Sequence, residues 1–131
     1  MTVLICGAGI GGLCLGLSLH QLNIPFQIFE SSRTIEPLGV GINLQPNAVR
    51  ELSALGIKDD LKRIGIQTKE FGLFSKRGLE IWTEPRGLKA GYDEPQFSVH
   101  RGKLQKLLYD TLITRMKNNP VHLGMQVTRF K

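Results

Sequence analysis

The chain has 131 residues, 41% of them hydrophobic, 21% charged and 7% aromatic, with 15 glycines and 6 prolines. That composition excludes a disordered tail, and the length suits one ordinary domain with a real core, too short for two compact domains. The net charge of +6 is carried after residue 57, where basic side chains are interleaved with Asp59, Asp60, Glu70, Glu80, Glu84, Asp93, Glu94 and Asp110, the pattern of a solvated face and not of a nucleic-acid footprint.

No run approaches the roughly eighteen apolar residues that a membrane-spanning helix needs. The N-terminal Met-Thr-Val-Leu-Ile-Cys lacks the basic region and long apolar stretch of a secretory signal, so the expected location is the cytoplasm. Cys6 and Cys14 have no second pair beside them and read as reduced core thiols, and no metal site is expected.

In chain order, Thr2 to Cys6 is a β-rich run, Gly7 to Gly12 is a glycine-rich turn, and Leu13 to Leu22 carries leucines at helical spacing. Asn23-Ile24-Pro25 stops the helix, and Phe26 to Glu30 is a second strand ending in an acid. The unit is βαβ, a right-handed parallel crossover. Ser31 to Gln45 is loop or irregular strand containing Gly39 and Gly41. Pro46 then opens a helix with Val49, Leu52 and Leu55 inward and Gly56 at its end, followed by a short helix within Ile57 to Ile64 that buries Leu61 and Ile64.

From Ile66 to Glu84 the pattern turns to β, and Phe71 to Phe74, a link through Gly78 and then Leu79 to Trp82 read as a hairpin, within an insertion at about 66–99. Trp82, Phe71 and Phe74 are expected to pack in a core or against a substrate-side region. Gln96 to Val99 is a short strand and Arg101 to Lys117 an amphipathic helix with Leu104, Leu107, Leu108, Leu112 and Met116 on one face. Asn118-Asn119-Pro120 ends it. Val121, Leu123, Met125 and Val127 alternate with His122, Gly124, Gln126 and Thr128, which predicts a strand running to Phe130.

Gly7-Ala8-Gly9-Ile10-Gly11-Gly12 matches G-x-G-x-x-G, and its context of strand before, helix after and acid beyond gives the match its weight. Gly7 permits the turn off the strand, Gly9 lets the backbone approach a pyrophosphate, and Gly12 lets the helix pack closely. Free amides and the dipole at the helix start favour the phosphates. Glu30, eighteen residues after Gly12, can accept hydrogen bonds from ribose hydroxyls and repels a 2′-phosphate, which favours FAD or NAD over NADP. His20, His100 and His122 lack placed partners and read as structural.

Gly39-Val40-Gly41-Ile42-Asn43-Leu44-Gln45-Pro46-Asn47-Ala48, lying between the dinucleotide unit and Leu55-Gly56-Ile57, resembles the second signature of the single-component FAD-dependent aromatic hydroxylases, the class A flavoprotein monooxygenases. His100-Arg101 with Leu104 and Leu107 is similar to their next motif, and the spacing is nearest to the salicylate- and urate-hydroxylase-like branch. The resemblance covers essentially the whole chain.

It implies an α/β fold, a Rossmann-like FAD-binding βαβ unit with a parallel sheet and a hairpin insertion at about 66–99 on the substrate side. It implies that Gly7, Ala8, Gly9, Ile10, Gly11 and Gly12 hold the FAD pyrophosphate, Glu30 the adenosine ribose, and Ser31 and Arg33 the adenosine half. Gly41, Ile42 and Asn43 would lie against the flavin end, Arg101 would reach the pyrophosphate or ribityl region, and the backbone of Val127 would meet the adenine. The implied reaction is hydroxylation of a small aromatic substrate: NAD(P)H reduces the flavin, O2 adds to give a C4a-hydroperoxide, and an oxygen atom passes to the ring.

The resemblance implies enzymes about three times this long. Their Asp-Gly segment, substrate-covering sheet and Gly-Asp motif do not occur here, so the expectation is an N-terminal piece, a truncated domain inactive by itself. Two alternatives stay open: another FAD-dependent oxidoreductase of the same superfamily, such as an amine oxidase, and a non-catalytic nucleotide-binding protein. A plain NAD-dependent dehydrogenase fits less well, because the hairpin interrupts its strand–helix alternation. Substrate identity, the choice of NADH or NADPH and the oligomeric state are not legible.

Overall fold

β-branched and aromatic runs separated by leucine-rich helices sort this chain into two compact units in the computed structural model, which describes residues 1–129. Of the described residues, the first unit comprises 1–39 and 101–129, the second 40–100.

In the first unit, β1 (Val3–Cys6) leads through α1 (Ile10–Gln21) to β2 (Phe26–Phe29), and α4 (Arg101–Arg115) precedes β8 (Val121–His122). The strands form a parallel sheet in the order β1-β2-β8, with Ile5 opposite Ile28 and Ile28 opposite Val121. Both crossovers step the same way across the sheet, so right-handed connections place α1 and α4 on one face. Ile5, Ile28, Leu13, Leu17, Leu104, Leu108 and Leu112 form the core between helices and sheet. At Gly16 a Cβ would come within 3.0 Å of Ile28 and Phe26 and 3.4 Å of Leu112, so the missing side chain is what lets α1 lie so close.

In the second unit, β3 (Gly41–Leu44), β4 (Gly65–Thr68) and β7 (Gln96–His100) form an antiparallel sheet in the order β3-β7-β4. Two helices, α2 (Pro46–Ala54) and α3 (Lys58–Ile64), cover it and bury Val49, Leu52 and Leu61 with Leu44, Phe97 and Val99. A separate hairpin pairs β5 (Glu70–Phe74) with β6 (Glu80–Pro85).

The α/β class, the parallel βαβ unit, the helix at Pro46 and the hairpin are as the sequence predicts. Four expectations need correction. The final strand is only Val121–His122, because the chain turns at Gly124 (φ +69) and bends back so that Met125 N–H donates to Glu30 O at 2.8 Å; Phe130 lies outside the described residues. Cys6 is exposed and Cys14 only partly buried, because alternation turns Ile5 inward and Cys6 outward. Phe71, Phe74 and Trp82 are exposed and so are not core, since among the described residues no second layer covers the two-stranded hairpin; the substrate-side alternative is untouched by this. Ile66 to Thr68 is not part of the hairpin but pairs with β7.

Candidate cofactor site

The first unit brings the glycine-rich turn and the acid at the end of β2 together. Gly7 sits at φ +95, a left-handed conformation that glycine adopts without strain, and its N–H donates to Phe29 O at 2.7 Å. Gly9 caps α1 with extended backbone and no side-chain cap, leaving the first-turn amides to be satisfied from outside the helix. None of the described first-turn residues is acidic, so nothing there competes with an anion.

The glycines separate into two kinds. A Cβ on Gly12 would lie 2.0 Å from Gly7 O, so close packing of helix on turn requires glycine there. A Cβ on Gly9 or Gly11 would meet no protein atom within 4 Å. Packing does not explain glycine at those positions, and the open space leaves the backbone there accessible to a ligand. With the first-turn amides unpaired beside it, that open backbone has the room and the donors a pyrophosphate needs.

Glu30 lies just past β2. Its Oε2 accepts the Ala8 N–H at 2.7 Å, and its Oε1 accepts the Ser32 N–H at 2.7 Å and the Ser31 hydroxyl at 3.2 Å. The Ser32 amide first, and the Ala8 amide and serine hydroxyls after it, hold the carboxyl below the usual glutamate range against the opposing effect of burial. The group is therefore a carboxylate at neutral pH.

A cavity of about 390 Å³ is lined by Gly9, Glu30, Ser32, Thr34, Ile35, Glu36, Leu38, Arg101 and Gln105. Its wall is set by α4: a Cβ on Gly102 would fall 2.3 Å from Pro37 C, so glycine allows the first turn of α4 to seat against residues 37–38. Gly39, at φ +123, lies against the aliphatic stem of Arg101. A second, smaller cavity of about 150 Å³ is lined by Cys6, Gly7, Phe29, Ser31, Met125, Gln126 and Val127. Phe29 also stacks on His122 at 5.1 Å.

Of the residues singled out in the sequence, Gly9, Glu30 and Arg101 line the larger cavity, and Gly7, Ser31 and Val127 the smaller one. Ala8 is wholly buried between them in sequence, Ile10, Gly11 and Gly12 open α1, and Arg33 is exposed with its Cγ beside Gly124. Gly41, Ile42 and Asn43 belong to the second unit, on β3, where Ser98 Oγ donates to Asn43 Oδ1 at 2.6 Å. Gln105 and Gly102 were not legible as site residues. Gly102 carries one signal, a glycine in the first turn of an otherwise leucine-rich helix, while Gln105 sits on α4 one residue beyond Leu104 with nothing in its spacing to mark it.

A parallel sheet, a glycine turn, an anion-ready helix start and an acid at the end of the second strand define a dinucleotide-binding fold of the Rossmann type. Comparison with known proteins narrows it. No protein-family model matches the chain. The phenazine 1,6-dicarboxylic acid hydroxylase PhzS of Lysobacter antibioticus is 44% identical over 130 residues, covering 98% of this chain and 32% of that protein. The aurachin C monooxygenase/isomerase of Stigmatella aurantiaca is 36% identical over 132 residues, covering 100% and 33%. Klebsiella pneumoniae HpxO, crystallised with FAD and uric acid, superimposes with a TM-score of 0.79 at 25% identity, covering 98% of this chain and 32% of its own. The chain is homologous over its whole length to FAD-dependent aromatic monooxygenases. It spans about a third of the length of the curated relatives it matches.

Among the described residues no helix is long and apolar enough to cross a membrane, and no group of three or more His, Cys, Asp or Glu could hold a metal ion.

Proposed function

We propose that this chain binds FAD through its first unit and is the FAD-binding portion of a monooxygenase that hydroxylates a small aromatic substrate with NAD(P)H and O2, in the manner of the salicylate- and urate-hydroxylase-like branch. One observation carries the reading: Gly9 has open space where a Cβ would stand, on the same cavity wall as an ionised Glu30 and Arg101.

In this reading the backbone of Gly7, Ala8, Gly9, Ile10, Gly11 and Gly12 and the start of α1 take the pyrophosphate, and Arg101 adds a guanidinium fork suited to phosphate oxygens. Glu30 accepts from the adenosine ribose, Ser31 and Arg33 flank the adenosine half, and the backbone of Val127 meets the adenine along the smaller cavity. Gly41, Ile42 and Asn43 serve the flavin end, and the hairpin region at about 66–99 stands on the substrate side of what is part of one FAD-binding domain. The flavin, when bound, supplies the redox and oxygen-transfer chemistry. The protein's share is to bind, orient and keep water away. A cytoplasmic location, where NAD(P)H is available, belongs to the same reading.

A fluorescence titration of the 131-residue chain with FAD, with ADP as competitor, tests the proposal. Saturable quenching of flavin fluorescence, reversed by ADP, is expected. No ADP-sensitive change at high protein concentration would refute it.

A further inference from the structure

Both peptide groups flanking Ala8 are held by side chains from distant parts of the chain. The Ala8 N–H donates to Glu30 Oε2 at 2.7 Å, twenty-two residues away, and the Ala8 carbonyl accepts from Gln105 Nε2 at 2.9 Å, ninety-seven residues away. Ala8 itself is wholly buried and so cannot turn its carbonyl to water. A trans peptide is planar, so its N–H points opposite to its carbonyl; fixing the Ala8 carbonyl fixes the Gly9 N–H in the opposite sense.

Gly9 needs this help more than other residues would. With no Cβ it has the widest backbone freedom, and no side chain caps α1 at this position. Gln105 also lines the cavity with Gly9, Glu30 and Arg101, on the same helix and one turn beyond Arg101. From these observations we infer that Gln105 is a positioning residue for the cofactor site: its amide presets the Ala8–Gly9 peptide so that the glycine-turn amide faces an incoming phosphate before any ligand arrives.

The inference rests on the FAD reading for its purpose but not for its geometry. Glu30 and Gln105 act as the two jaws of one clamp, with the first also available to the ribose and the second committed to the backbone. A preset turn lowers the ordering cost that binding would otherwise carry.

The test uses Gln105→Met, which keeps the length and removes the donor, and Gln105→Asn, which keeps the donor but shortens its reach. Amide hydrogen exchange is followed residue by residue by NMR on the ligand-free chain, and ADP and FAD affinities are measured beside it. Faster exchange confined to the Ala8 amide, which Glu30 protects, with β1, β2 and α4 amides unchanged, and about three- to tenfold weaker ADP and FAD binding are expected for both variants. Unchanged exchange at Ala8 in both variants would overturn the inference. A uniform acceleration through the first unit would overturn it as well, because Gln105 would then be holding the core. If the unaltered chain fails to bind either nucleotide, the FAD reading fails while the exchange result still decides what Gln105 does to the turn.

Discussion

Replacing Glu30 by alanine removes the one carboxylate that joins the glycine turn to the end of β2. In the ligand-free protein it accepts three hydrogen bonds, from Ala8, Ser32 and Ser31 at 2.7, 2.7 and 3.2 Å. Two of these donors are backbone amides, so FAD must share the carboxylate with the protein and does not receive it whole. A charged hydrogen bond is worth about 1.5–3 kcal/mol in a dry site, and this one stands at a partly exposed rim, so the net loss on binding is about 1–2 kcal/mol. That converts to roughly five- to thirtyfold weaker FAD at neutral pH. Glu30→Gln keeps the shape and one acceptor and is expected to fall between. Flavin fluorescence titration of the two variants against the parent measures both. The carboxyl is held below the usual glutamate range in the folded chain. Its contribution to stability is therefore complete above the ordinary glutamate pKa and is lost as the pH falls through the lowered folded value. The parent should lose stability relative to Glu30→Ala only in that acid window. An unchanged FAD Kd for Glu30→Ala at pH 7 would refute the ribose role and the reasoning behind it.

The two kinds of glycine give a paired prediction. Gly12→Ala places a Cβ 2.0 Å from Gly7 O and should cost about 1–3 kcal/mol of stability, read from urea unfolding. Gly9→Ala meets no protein atom, should leave stability unchanged or slightly raised, and should still abolish ADP and FAD binding; retained binding would show that no ligand passes there. Leu112→Ala opens a hole where α4 meets α1 at Gly16 and should cost about 2–5 kcal/mol in the same unfolding assay. Burial pushes the Cys14 thiol up while Cys6 is exposed, so at pH 8 a disulfide reagent should modify Cys6 about tenfold faster or more. Equal rates would contradict the placement of Cys14 on α1.

The local chemistry of the first thirty residues decided most of what could be read without a structure. A β-rich run, a glycine turn, leucines at helical spacing and an acid after Phe29 each fix backbone geometry within a few residues, which is why the parallel pairing of β1 with β2 and the position of Glu30 were legible. Pro46 and Gly56 bracketed the next helix for the same reason. The alternation after Pro120 misled, because period-two patterning reports which side chains could face inward and says nothing about whether a neighbouring strand exists to pair with. Among the described residues only β2 pairs with it, and after His122 the chain turns at Gly124 toward Glu30.

The site's outer wall belongs to the tertiary structure. Gln105 is ninety-seven residues from Ala8, and Gly102 is sixty-odd from the residues 37–38 it seats against, and no periodicity connects either to its partner. Their roles appear only when α4 lies against residues 37–38 and beside Ala8. Exposure of Cys6 and of the hairpin aromatics was likewise undecidable from sequence, since burial depends on what other layers are present. Sequence alone determined the elements and the turn, because those are set by interactions between residues close along the chain. The fold decided which distant side chains orient that turn, because a hydrogen bond between remote residues is fixed by packing and by nothing either residue carries alone.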